Sequence, residues 1–219
     1  IAVSNYKFYD SRLVVFPSPG SNSVARGLRL HHFPKTFYDR GKSRTNPEEA
    51  KAVAQSVMAH AKATPDLTLG VVAFSTAQRD AIDSQLEVLR RADPSCEPFF
   101  SLAKREPFFI KNLENVQGDE RDTIFISIGY GKTAEGYMTM GFGPLNRDGG
   151  ERRLNVLITR ARLAMDVFSN FTADDIDLNR TNATGVVAFK HFLAYAQTGV
   201  LQQPYSTDKE PASPFEEAV

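Results

Sequence analysis

The eight residues from Thr68 to Ser75, TLGVVAFS, constrain the fold of this chain more than any other stretch. A short apolar run without polar alternation reads as a strand covered on both faces, and such a strand needs helices above and below its sheet. The flanking sequence supplies them. Asn46 stands as a cap before Pro47, Glu48 and Glu49, and behind it Ala50, Val53, Ala54, Val57, Met58 and Ala61 recur at helical spacing. A second helix is predicted from about Ala77 to Arg91, burying Ile82, Leu86 and Leu89. Further strands are predicted at Leu28–Phe33, Phe108–Lys111, Thr123–Tyr130 and Ala164–Ser169, with a last helix over about Ala183–Gln197 that closes at Gly199. Strands alternating with helices make the chain α/β, with a mainly parallel central sheet between two helical layers.

A length of 219 residues suits one large domain with an appendage. Residues 1–200 hold all the predicted elements. Residues 201–219, with Pro204, Pro211 and Pro214, read as a linker and the start of a further domain. The 26 basic and 26 acidic residues cancel, so any contact with nucleic acid has to be local. The single cysteine, Cys96, excludes an internal disulfide framework and a cysteine-based zinc site, and is compatible with a reducing compartment, the cytoplasm by default. No apolar run approaches a membrane span, and the first residues lack the layout of a signal peptide. Starting at Ile1 and stopping inside PFEEAV, the chain reads as a piece of something longer. His31, His32, His60 and His191 show no metal-ligand spacing, so no metal site is expected.

Three segments carry candidate chemistry. In GGERRLNVLITRAR, Gly149–Arg162, Leu154, Leu157, Ile158 and Ala161 form the buried stripe of an amphipathic helix. Arg153 and Arg160, seven apart, are expected together on one face beside it. A guanidinium stays charged and offers a planar fork of donors suited to phosphate, although a solvated cationic face carries the same pattern. In ENVQGDERD, Glu114–Asp122, Gln117 and Gly118 occupy a turn at the carboxyl end of a strand, where a parallel sheet presents its ligand crevice. Gly118 lets a backbone approach closely, and Glu120 can accept from a sugar hydroxyl or hold an arginine; a plain polar turn has the same composition. In GVVAFSTAQRDAI, Gly70–Ile82, Ser75, Thr76, Gln78 and Arg79 fall where a buried strand meets a helix and free amides converge. Alone, Arg79 is a first-turn surface residue; with Arg160 it becomes one of a pair of phosphate clamps. The Gly131-Lys132-Thr133 run imitates the end of a phosphate-binding loop, but Ile126 stands where that loop needs another glycine. A glycine-rich loop through Gly136, Gly141, Gly143 and Pro144 follows it instead of a helix. An ATP-binding core is therefore not expected within the chain.

Taken in order, these segments resemble the second RecA-like domain of superfamily 1 helicases, in the branch containing the nonsense-mediated-decay RNA helicase. GVVAFSTAQRDAI resembles motif IV, ENVQGDERDTIFISIGY motif V, and RRLNVLITRAR motif VI. NYKFYDSRLVVFP, Asn5–Pro17, is similar to the segment after motif III, and SRTNPEEAKAV to the opening of the domain's first helix. The region after Asn170 looks like a bacterial subgroup of large helicases in which a nuclease-like domain often follows. The resemblance implies a RecA-like three-layer sandwich without its own P-loop. It implies Arg79 and Arg160 as arginine fingers, and Gln78, Gln117, Gly118, Glu120 and Arg153 on the nucleotide side. Ser75, Thr76 and Asn115 would touch single-stranded nucleic acid, DNA ahead of RNA. ATP and Mg2+ would be bound mainly by a first RecA-like domain of the same protein, preceding Ile1, so the chain alone would neither hydrolyse ATP nor unwind duplexes. A reading from another class is a RecA-like nucleic-acid-binding or scaffolding module without motor chemistry.

Overall fold

The computed structural model describes residues 27–199. The segment resembling the stretch after motif III and the linker after residue 200 lie outside the described residues. Strands β1 (Gly27–His32), β2 (Leu69–Ala73), β3 (Phe109–Asn112), β4 (Arg121–Ser127) and β5 (Ala161–Ser169) form one sheet in the order β1-β5-β4-β2-β3. Every pairing in it is parallel. Helices α1 (Pro47–Ala63) and α2 (Thr76–Ala92) pack on one face, and α3 (Gly150–Ile158) and α4 (Thr184–Thr198) on the other.

The apolar run behaves as its composition requires. Leu69, Val71 and Ala73 join Phe125 and Phe168 beneath α1 and α2, while Val72 and Phe74 join Ile124, Ile126 and Val167 beneath α3 and α4. All five residues of β2 are buried, which is why the sequence shows no alternation there. Asn46 caps α1 by accepting from the Glu49 amide at 3.1 Å, and Ser75 caps α2 by accepting from the Gln78 amide at 3.1 Å. Ile82 and Leu86 of α2 are buried as expected, whereas Leu89 is only half-buried. Among the described residues no helix is long and apolar enough to cross a membrane.

Edge strand β1 is fastened to β5 by charge. Arg29 donates to both carboxylate oxygens of Asp166 at 2.7 and 2.8 Å, and His31 Nε2 lies 2.7 Å from one of them. Burial pushes the Asp166 carboxyl up, but the hydrogen bonds from His31 and Arg29 more than reverse it and hold the group below its ordinary value. Of the other histidines, His60 sits edge-on to Phe99 and Phe125, with Nε2 2.9 Å from the Leu67 carbonyl.

Helices α3 and α4 approach through glycines. A Cβ on Gly185 would lie 2.3 Å from the Leu145 carbonyl oxygen and within 2.9 Å of Gly150 backbone atoms. These are main-chain atoms that cannot swing aside. Gly185→Ala is expected to cost about 3 kcal/mol, read as a lower midpoint in urea unfolding. Gly41→Ala, where the added methyl meets open space, is the control and should leave the midpoint unchanged.

Candidate functional site

The amino edge of the sheet brings together two of the sequence motifs. Helix α3 leaves a left-handed Gly149 and lasts nine residues. It ends because the Arg160 carbonyl accepts from the Arg121 amide at 3.1 Å, which draws the chain into β5 beside β4. Arg160 thus stands outside the helix, at the switch into the strand. The expectation that it shares a helix face with Arg153 is corrected on this point. Its guanidinium folds back instead: Nε donates to the Val156 carbonyl at 2.9 Å, Nη2 to the Thr159 hydroxyl at 3.1 Å, and Nη1 lies 3.8 Å from Glu120 Oε1. A cation there satisfies carbonyls that the helix end leaves open. Only 18% of the Arg160 side chain is exposed, against 52% for Glu120, so the pair opens to solvent from the acid's side. Arg153, one turn into the helix, donates to the Asp148 carbonyl at 2.8 Å and braces the return of the glycine-rich loop.

The segment between β3 and β4 spans both edges. β3 and β4 run in parallel with β2 between them, so residues 113–120 have to travel from the carboxyl edge back to the amino edge. Asn115, in a short 3-10 turn after β3, stays at the carboxyl edge and is exposed. Gln117 and Gly118 are exposed on the way, with Gly118 at φ +87° and open space where a side chain would stand. Glu120 therefore arrives at the amino edge, not at the carboxyl-end crevice expected for it. Beside it lies a network that sequence reasoning missed. Buried Arg121 donates to the Pro107 carbonyl at 2.7 Å and covers the Phe109 ring. Arg162 reaches Asp122 at 3.1 Å, Thr68 at 3.0 Å and Glu106 at 2.9 Å. The only sequence signal for it was the run of charges around motifs V and VI.

The carboxyl edge holds the motif IV residues. Thr76 Oγ1 accepts from Asn112 Nδ2 at 3.1 Å, and Ser75 is committed to the cap of α2. Gln78, expected on the nucleotide side, is fully buried. Its carbonyl oxygen accepts from the Asn46 amide at 2.9 Å, and its amide nitrogen donates to the Asn46 carbonyl at 3.2 Å and Ser127 Oγ at 3.0 Å. Its carboxamide is taken up by protein partners that tie the start of α1 to β4. Next to it Glu49 is also fully buried. Oε1 accepts from Ser127 Oγ at 2.6 Å and the Gly129 amide at 2.8 Å, and Oε2 has no partner. Burial raises this carboxyl to about 8, with those hydrogen bonds only partly opposing the rise.

Arg79 lies at the same carboxyl edge, paired with its neighbour Asp80 at 2.9 Å. Its distance from Arg160 follows from the register. Ala73 pairs with Ser127 and Ser127 with Phe168, which lies seven residues beyond Ala161. At about 3.3 Å per residue the two edges are roughly 20 Å apart. Arg79 is only one turn back from its edge, so the two arginines stand at opposite edges of the sheet. The Gly131-Lys132-Thr133 run forms no phosphate cradle: it continues as irregular chain, and Lys132 pairs with Asp175 at 2.7 Å. Among the described residues no group of three or more His, Cys, Asp or Glu is arranged to hold a metal.

Comparison with known proteins agrees with this architecture. A family model described as an AAA domain matches residues 4–172. The chain is 30% identical over 203 residues to the ATP-dependent helicase MG140 of Mycoplasma genitalium, and 31% identical over 213 residues to its homologue in Mycoplasma pneumoniae. These alignments cover 90% and 95% of the chain but 17% and 18% of the two relatives. Helicase sen1 of Schizosaccharomyces pombe is 32% identical over 182 residues, covering 75% of the chain and 9% of that protein. The chain thus spans less than a fifth of the length of these relatives. With its all-parallel sheet between two helical layers and its motifs in helicase order, the chain belongs to the AAA domain family, as a domain of the superfamily 1 helicase kind.

Proposed function

We propose that the chain is the second RecA-like domain of an ATP-dependent helicase and works by closing over a nucleotide that another domain holds. The observation that carries this is the meeting of Glu120 and Arg160 at the amino edge. A charged fork, held by helix-end carbonyls and one carboxylate, is poised where it can exchange those partners for a phosphate. Arg160 is the arginine finger and Glu120 its holder, with Gln117 and Gly118 on the same nucleotide-facing segment. Arg153 supports the cleft through the loop it braces. ATP and Mg2+ bind mainly to the first RecA-like domain. Arg79, at the far edge, does not share that phosphate; it belongs with Ser75, Thr76 and Asn115 on the side that takes single-stranded nucleic acid, DNA ahead of RNA.

Catalysis of phosphoryl transfer rests on positioning and charge neutralisation, and a finger without a phosphate-binding loop neutralises nothing. The 219-residue chain by itself is therefore expected to show no ATP turnover above background, with or without an oligonucleotide. Robust turnover that disappears in Arg160→Ala would overturn the proposal, because it would place a complete site inside the chain.

A further inference from the structure

Exposed aromatic rings are scarce among the described residues. The large exposed apolar side chains among the described residues are Phe37, Val88, Leu102 and Tyr137, and the two aromatic ones stand on neighbouring loops at the carboxyl edge. Phe37 is 53% exposed in the loop between β1 and α1, and Tyr137 is 52% exposed on the tip of the glycine-rich loop after β4. The loops are joined through their main chains. The Tyr38 amide donates to the Lys132 carbonyl at 2.8 Å, and the Thr133 amide to the Tyr137 carbonyl at 2.9 Å. The Arg40 guanidinium stands over the Tyr137 ring, 5.9 Å from its centroid. Phe37 and Arg40 line one cleft together with the Thr133–Glu135 turn.

Charge favours one kind of occupant. Residues 33–46 carry Lys35, Arg40, Lys42 and Arg44 against Asp39 alone. Asp39 is turned onto its own loop, accepting from the Lys42 amide at 3.3 Å and from the Ser43 amide and hydroxyl at 3.0 Å. Glu48 and Glu135 add two carboxylates on the rim of the cleft, so the cationic excess belongs to the β1–α1 loop. Exposed rings beside surplus cations are how proteins hold a single strand without reading its sequence: bases stack on the rings and the cations follow the backbone. The same edge carries Thr76 and Asn115 at the ends of β2 and β3. Four strand spacings of about 4.8 Å separate β3 from β1, roughly the span of three extended nucleotides.

We propose that Phe37 and Tyr137 form a base-stacking platform for single-stranded nucleic acid, with Arg40 fixing the tyrosine ring and meeting the strand's phosphates. This rests on the nucleic-acid reading above and extends its track from Thr76 and Asn115 across the sheet edge.

The test is the binding of fluorescent oligothymidylate and oligouridylate to the full-length protein, each with a matched strand carrying abasic sites. Phe37→Ala with Tyr137→Ala is expected to weaken binding of the base-bearing strands about tenfold or more per ring. Abasic strands should lose little, and Tyr137→Phe should retain affinity because it keeps the ring. Arg40→Ala should flatten the salt dependence of binding. Unaltered binding by the double variant, with wild type binding normally, would overturn the platform while leaving the nucleic-acid reading in place. Equal weakening on base-bearing and abasic strands would also overturn it, since stacking needs bases. No binding by wild type would remove both.

Discussion

Arg160→Ala in the full-length protein is expected to lower single-turnover ATP hydrolysis in the presence of nucleic acid about a thousandfold, with nucleotide affinity largely retained. Converted to a barrier, that is about 4 kcal/mol of transition-state stabilisation, far more than the side chain contributes to folding. In the resting domain Arg160 covers the Val156 carbonyl and stands 3.8 Å from an exposed carboxylate. A cation at a helix end is worth only about 0.5 kcal/mol, so the variant should fold normally and its thermal midpoint should barely move. Arg160→Lys separates charge from geometry. It keeps the positive charge but loses the planar fork, and should recover only part of the rate. Unchanged hydrolysis in Arg160→Ala would make the residue a helix-end brace and bring forward the module without motor chemistry.

The second large effect concerns stability and its dependence on pH. Glu49 is raised from 4.5 to about 8 in the folded protein, so between those values the folded state holds a proton that the unfolded state has released. Stability then falls as pH rises through that window, and the folded protein loses up to about 4 kcal/mol near pH 7.5. Glu49→Gln removes the titration while keeping an oxygen to accept from Ser127 and Gly129. The variant is expected to be more stable than wild type by about 2–4 kcal/mol near pH 7.5, an advantage that disappears toward pH 4.5. Urea unfolding at a series of pH values measures it. A variant less stable than wild type at neutral pH would mean that Glu49 is ionised in the fold and that its charge is needed there.

Why some features were legible in the sequence and others were not comes down to the range of the forces involved. The β2 run, the Asn46 and Ser75 caps and the stripe of α1 depend on neighbours a few residues away, and the pattern alone locates them. The end of α3 does not. Seven-residue spacing assigns Arg153 and Arg160 to one face only if the helix continues, and what stops it is the bond from Arg121, far away in sequence. Gln78 and Glu49 look like surface residues of two helix starts. Their burial goes with Ser127, 49 and 78 residues distant, whose hydroxyl accepts from Gln78 and donates to Glu49. Glu120 directly precedes β4, so it stands at that strand's amino end, whereas its composition alone reads as a polar turn at the carboxyl end of β3. The short-range features therefore gave the fold, while the membership of each edge needed the topology.

The ionic fastening of β1 bears on how the domain is made. Arg29 and Asp166 are 137 residues apart, and among the described strands β1 touches the sheet only through β5. During synthesis the first of the described strands is thus the last of them to find its place. At about 5–20 residues per second, the ribosome leaves it waiting on the order of ten seconds for its partner to emerge. Until then β4 also lacks its β5 neighbour and offers an open, apolar strand edge, since Ile124 and Ile126 are already in place. The nascent domain is most exposed to mispairing in that interval, and a chaperone that binds extended apolar segments would act on it there.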